Sequence, residues 1–125
     1  MFTRQAMRRV VVESPYKAET ELKINQHILY AQACILDCLL RGEAPIASHL
    51  LYTQVTVLND NIPYERQLGI DAGFAWLHVA DGQVVYIDLG ISSGMELAMT
   101  YYEKIGGKPE LRTLGGNLRM FGVAS

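Results

Sequence analysis

The sequence predicts an α/β fold with a mostly parallel sheet, and three observations carry that prediction. Short β-branched runs such as "RRVVVE" and "QVVYID" alternate with longer stretches whose apolar residues recur at helical spacing. The boundaries between them fall at Gly, Pro, Asn, Asp and Ser clusters. The resulting order is β-α-β-α-β-α-β. Helices between successive strands act as crossovers, which set the strands parallel and cover both faces of the sheet.

The first strand is expected at Val10–Glu13, closed by Ser14 and Pro15. A helix follows over Glu19–Leu40, with Leu22, Ile24, Ile28, Leu29, Ala31, Cys34, Ile35, Cys38 and Leu39 at helical spacing, and Arg41-Gly42 supplies its stop. "APIASHLL" gives the second strand, Pro45–Ser48, which runs into the polar and aromatic loop "YTQVTVLNDNIP". Pro63 fits the first position of a second helix, Tyr64–Val79, with Leu68, Ala72, Ala75 and Trp76 on its expected buried side. Asp81-Gly82 turns the chain into a third strand, Gln83–Asp88. A third helix begins at Ser92 or Ser93, runs to about Ile105 and is ended by "GGKP"; the fourth strand is "ELRTL". The tail "GGNLRMFGVAS" either stays loose or adds an edge contact. Right-handed crossovers leave few arrangements of these pieces. Strand order 2-1-3-4 is expected, in a small flavodoxin-like or Rossmann-like three-layer sandwich of four or five strands.

The chain of 125 residues has the length of one domain, taken here as 1–125, with room for one continuous core. A net charge of −2 argues against a broad nucleic-acid interface, and the cluster Arg4, Arg8 and Arg9 reads as a solvated N-terminus. Cys34 and Cys38, one helical turn apart, are poorly placed for a disulfide and read as reduced thiols of a cytoplasmic protein. No apolar run is long enough to cross a bilayer, and the start lacks a leader-like apolar core. Neither a phosphate-loop motif nor a Gly-rich dinucleotide fingerprint nor a nucleophile elbow is present. His27, His49 and His78 lack zinc-like spacing, so no metal or other cofactor is expected.

In an open parallel sheet, ligands bind beyond the carboxyl ends of the strands. Four polar clusters fall on that edge: "ESPY" (Glu13–Tyr16), "SHLLY" (Ser48–Tyr52), "DLG" (Asp88–Gly90) and "SSGME" (Ser92–Glu96). The unpaired N–H groups of a helix's first turn suit a phosphate oxygen, and Ser92, Ser93 and Gly94 would let one approach. Capping of the helix by Ser92 or Ser93 explains the same residues equally well. Glu96 in the first turn would stay ionised, as a nucleophile must, or would simply favour the helix dipole. Asp88 would hold a ribose hydroxyl, handle a proton, or cap its turn. His49, Tyr52 and Tyr16 would wall a pocket for a flat base or serve as packing, and Glu13 would reach the pocket mouth or close a strand-end salt bridge.

At "DLGISSGMELA" the sequence resembles the nucleoside 2-deoxyribosyltransferase-like superfamily, which includes the deoxynucleoside 5-monophosphate N-glycosidases. "SPY" stands in the first-strand loop, Asp88 after the third strand and "GMELA" at the helix start. A longer pattern, "SPY…RGEAP…ASHLLYTQ…YERQLGI…VVYIDLGISSGM", is similar to a bacterial and phage branch of that superfamily. The resemblance implies that Glu96 attacks the anomeric carbon of a (deoxy)ribosyl group and that Asp88 orients the sugar or assists the departing base. It further implies that Ser14, Ser92, Ser93 and Gly94 hold the 5-phosphate while Tyr16, His49 and Tyr52 surround the base. Homodimers are common in that superfamily, so a homodimer or higher homo-oligomer is expected. The departure from it is Tyr16-Lys17 where many hydrolases carry a Gly-rich turn.

Two functions from different classes follow. One is a nucleotide-processing N-glycosidase or deoxyribosyltransferase. The other is a catalytically silent module that binds a nucleotide or nucleotide-derived signal with the same phosphate cradle. A bare assembly role is the third.

Overall fold

A computed structural model describes residues 7–115. Arg4 and the tail beyond Gly115 lie outside the described residues. Strands β1 (Arg8–Glu13), β2 (Glu43–Ile46), β3 (Gly82–Tyr86) and β4 (Glu110–Arg112) form one four-stranded sheet in the order β2-β1-β3-β4. Every pair is parallel: Val11 stands opposite Ile46 and Gln83, and Tyr86 opposite Arg112. The helices are α1 (Glu21–Leu40), the short α2 (Ser48–Leu51), α3 (Pro63–Leu77) and α4 (Ser93–Lys104). The α/β class, parallel sheet and strand order are those the alternation of segments predicts, in a flavodoxin-like three-layer arrangement.

Alternation along β1 divides the core. Val10 and Val12, with Val84 and Tyr86 of β3, face α1 through Tyr30, Ala33, Cys34 and Cys38. Val11 points to the other layer, against Leu77 of α3 and Tyr102 of α4. Thr20 caps α1, its hydroxyl accepting from the Lys23 amide at 3.2 Å, and Gly42 takes φ +83° just beyond its end.

Several boundaries and faces differ from the sequence expectation. β2 begins at Glu43 and ends at Ile46, because Ser48 has already entered the helical turn of α2. α1 buries His27 and Tyr30 together with the small residues Ala31, Ala33, Cys34 and Cys38, and leaves Leu22, Leu29 and Leu39 exposed. The small side chains let the helix approach a sheet face of valines and a tyrosine, which the leucine side would hold off. α3 buries Gly73 and Leu77, whereas Leu68, Ala75 and Trp76 are exposed. Its apolar residues lie all round the helix, so periodicity alone singles out no face. β3 stops at Tyr86 and β4 at Arg112, leaving Asp88 and Leu114 in the loops that follow.

Arg112 reaches across the α1 face to the far edge strand. Its two terminal nitrogens donate to the two Glu43 carboxylate oxygens at 2.7 Å each, and Nε donates to Glu110 at 2.6 Å. Arg8 adds a third bond to Glu43 at 2.9 Å. This forked pairing holds the Glu43 carboxyl below the usual carboxylate range. β2 and β4, which never touch in the sheet, are tied by one ion pair.

Candidate functional site

The order β2-β1-β3-β4 makes β1 and β3 diverge: β1 leads through α1 to one edge, and β3 leads through α4 to the other. Such a switch opens a crevice beyond the strand ends. Here it holds a cavity of about 340 Å³, walled by the β1 exit, α2, α3, the loop before α3 and the first turns of α4.

Seven of the nine residues given roles by the resemblance meet in it, Ser14, Tyr16, His49, Tyr52, Ser92, Ser93 and Gly94, together with Glu13, which was expected at the pocket mouth. Ser14 is buried at the β1 exit, and its Oγ lies 2.8 Å from His49 Nε2 on α2. Tyr52 accepts a hydrogen bond from Trp76 Nε1 at 2.8 Å. Ser92 is the N-cap of α4, with its hydroxyl accepting from the Met95 amide at 3.2 Å. The capping and phosphate readings of "SSG" therefore divide by residue: Ser92 spends its hydroxyl on the cap, while Ser93 and Gly94 are the first two residues of the helix, whose amides have no intrahelical acceptor. A β-carbon on Gly94 would meet only Ser92 Oγ, at 3.9 Å, so the backbone there stays open to approach.

The two carboxylates expected to do chemistry are elsewhere. Asp88 is engaged structurally. Tyr30 donates to its Oδ2 at 2.6 Å, the Leu114 amide donates to both oxygens at 3.0 Å, and the Asp88 amide donates back to the Tyr30 hydroxyl at 2.9 Å. It fastens the chain after β4 to the loop after β3, and it does not line the cavity. Glu96 is exposed and also absent from the cavity wall. At about 100° per residue it lies some 200° round the helix from Gly94. The cavity side of α4 is taken by Gly94, Leu97 and Ala98.

A different carboxyl does line the cavity. Glu13, the last residue of β1, accepts from Gln83 Nε2 at 3.0 Å, and burial pushes its pKa up to about 7. Burial also pushes His49 down to about 4, so its ring is uncharged at neutral pH. Two buried polar atoms have no partner among the described residues: His49 Nδ1 and Gln83 Oε1. Both belong to groups at or beneath this cavity.

Sequence reasoning missed the α3 wall. Arg66, Gly69, Ile70, Gly73 and Phe74 line the cavity, with Lys17 and Asp60 from the flanking loops. Arg66 and Asp60 pair at 3.2 Å. The available signal was the glycines of "QLGIDAG" at Gly69 and Gly73, four apart on a helix, where small residues leave space. Gly73 packs so tightly on α2 that a β-carbon would come within 2.7 Å of Ser48 Oγ. Among the described residues no three His, Cys, Asp or Glu gather as a metal site, and no helix is long and apolar enough to cross a membrane.

The model of a family described as a domain of unknown function, DUF7768, matches residues 8–111. The chain belongs to the DUF7768 family. The matched span runs from the first residue of β1 into β4, and so contains every residue of the cavity wall. No curated protein matches this DUF7768 chain.

Proposed function

We propose that this DUF7768 domain binds a nucleoside 5-monophosphate, or a nucleotide-derived signal of that size, in the cavity at the sheet switch. The carrying observation is the convergence there of the α4 head, with the Ser93 and Gly94 amides, and the buried Ser14 at the β1 exit. Amides and dipole at a helix N-terminus favour an anion. The unpartnered His49 Nδ1 supplies a second, independent polar demand in the same wall. The volume of about 340 Å³ lies within the range of small-ligand pockets. Tyr16, Tyr52 and Phe74 offer flat surfaces for a base.

Binding is favoured over base–sugar cleavage because neither Glu96 nor Asp88 lines the cavity. Cleavage remains a second reading, supported by Glu13, a half-buried cavity carboxyl whose pKa desolvation raises to about 7, which suits a general acid. Its relatives would be the deoxyribosyltransferase-like enzymes that "DLGISSGMELA" resembles. We propose a cytoplasmic setting, in which Cys34 and Cys38 stay reduced, and a homodimer that covers the exposed leucines Leu22, Leu29, Leu36 and Leu40 of α1.

Thermal unfolding of the purified protein with a panel of nucleoside monophosphates tests the reading, with chromatography of each mixture for free base. Ligand-dependent stabilisation without free base is expected. Free base that disappears in Glu13→Gln would establish the second reading, and no stabilisation by any member would overturn the first.

A further inference from the structure

We infer that Ser14 and His49 form a nucleophile–base pair able to cleave short apolar carboxylic esters, with the head of α4 as the oxyanion site. This goes beyond nucleotide binding and does not depend on it. Three observations carry the inference.

Ser14 Oγ and His49 Nε2 stand 2.8 Å apart, the reach at which an imidazole takes a hydroxyl proton. Ser14 lies at the carboxyl end of β1, where parallel sheets present reacting groups, and both residues line the cavity. Second, the Ser93 and Gly94 amides head α4 in the same wall, the type of donor that stabilises a tetrahedral oxyanion. Third, Leu58, Ile70, Phe74, Leu97 and Ala98 give part of the wall an apolar surface for a short acyl chain, beside charged residues such as Arg66 and Asp60.

Burial keeps the imidazole uncharged, the form that accepts a proton, and also makes it a weaker base, which slows the transfer. The contact allows either ring tautomer; in the reactive one Nε2 accepts from Ser14, and Nδ1, which has no partner among the described residues, carries the ring proton. Without a carboxylate on Nδ1 the pair is a dyad, so turnover should be slow and the acyl-enzyme readily trapped.

The chemistry balances without a cofactor. Ser14 Oγ forms a bond to the ester carbonyl carbon as its proton passes to His49 Nε2. The carbon–alkoxide bond breaks, and the alcohol leaves with that proton. Water then adds to the acyl carbon, giving one proton to His49, and the carbon–Oγ bond breaks as Ser14 recovers the proton. The sum is ester plus water giving acid plus alcohol.

The test treats the full chain at pH 8 with a fluorophosphonate, which reacts with activated serines, and maps the adduct by peptide mass spectrometry. A single adduct on Ser14 is expected, with hydrolysis of p-nitrophenyl butyrate lost in step with labelling. His49→Gln, with its fold checked by circular dichroism, should slow labelling about a hundredfold. Mapping on the unmodified protein needs no variant to fold. No adduct at Ser14, or a rate unchanged in folded His49→Gln, would overturn the inference. Nucleotide stabilisation, measured separately, reports on the binding reading whichever way labelling falls.

Discussion

The two faces of the sheet treat buried polar groups differently. Toward α1, Arg112, Glu43, Tyr86, Asp37 and Cys38 form a connected set, with the Tyr86 hydroxyl donating to Asp37 at 2.6 Å and Arg112 forked onto Glu43. Toward α3 and α4, Glu13 and Gln83 share one bond, and Gln83 Oε1 and His49 Nδ1 are left without partners. Packing follows the same division. Val10, Val12, Val84 and Tyr86 are sealed against α1, whereas the other layer has a small core of Val11, Leu77 and Tyr102 beside a cavity. One face is closed chemistry that holds the fold. The other leaves unmet hydrogen-bonding capacity beside empty volume, which is what a binding site needs before its ligand arrives.

The largest expected effect breaks the closed face. Arg112→Met leaves Glu43 charged and nearly buried, with only Arg8 beside it. Loss of one partner of a buried pair costs about 3–5 kcal/mol. Urea denaturation should show that loss, and Glu43→Gln in the same chain should recover part of it.

On the open face, pH is the probe. Glu13 titrates at about 7 in the fold against an ordinary value of 4.5, so the folded state holds its proton more tightly. Its contribution is full below the unfolded value and is lost as pH rises toward 7, amounting to about 3 kcal/mol. His49 runs the other way: its folded value of about 4 lies below the ordinary 6.5, so stability is gained as pH rises between those limits. The two slopes oppose each other between the unfolded value of Glu13 and that of His49. Glu13→Gln should therefore be more stable than the natural chain above pH 7 and should expose a rising limb in the acid range. Unfolding free energies measured from pH 4 to 8 check both signs.

Smaller effects separate support from site. Asp88→Asn weakens the charge-assisted bonds to Tyr30 and Leu114, a loss of about 1–2 kcal/mol by chemical denaturation. Because Asp88 is outside the cavity, ligand-induced stabilisation should be unchanged. Glu96→Gln, at an exposed position, should change stability by less than about 0.5 kcal/mol and leave ligand binding as it was. A large loss of binding in either variant would move the site away from the cavity described.

Much of the fold could be read from punctuation and period. Pro15, Gly42, Pro63 and Gly82 fall at or near element ends, and the β-branched runs at Val10 and Val84 are the two central strands. Faces were harder to read. Leu22 and Leu29 fit helical spacing as well as Cys34 and Cys38 do, and only close approach to the sheet selects the small residues. The site was legible as an edge, since four polar clusters follow strands, but not as individual side chains. Glu96 and Gly94 are two residues apart in sequence and on opposite sides of α4, a distinction that depends on which way the helix is rolled. Glu13 was visible as a strand-end residue. Its burial and raised pKa arise from layers that come together only in the folded chain.

The most direct test of the central claim is calorimetric titration of nucleoside 5-monophosphates into the natural chain and into Gly94→Asp. An aspartate in the first turn suits the helix dipole, so the variant should fold at least as well, while its charge confronts a phosphate at the α4 head. Measurable binding by the natural chain and a loss of about tenfold or more in the variant are expected. Equal affinity in the two chains, or saturable binding that persists when Ser14→Ala is added to Gly94→Asp, would contradict it.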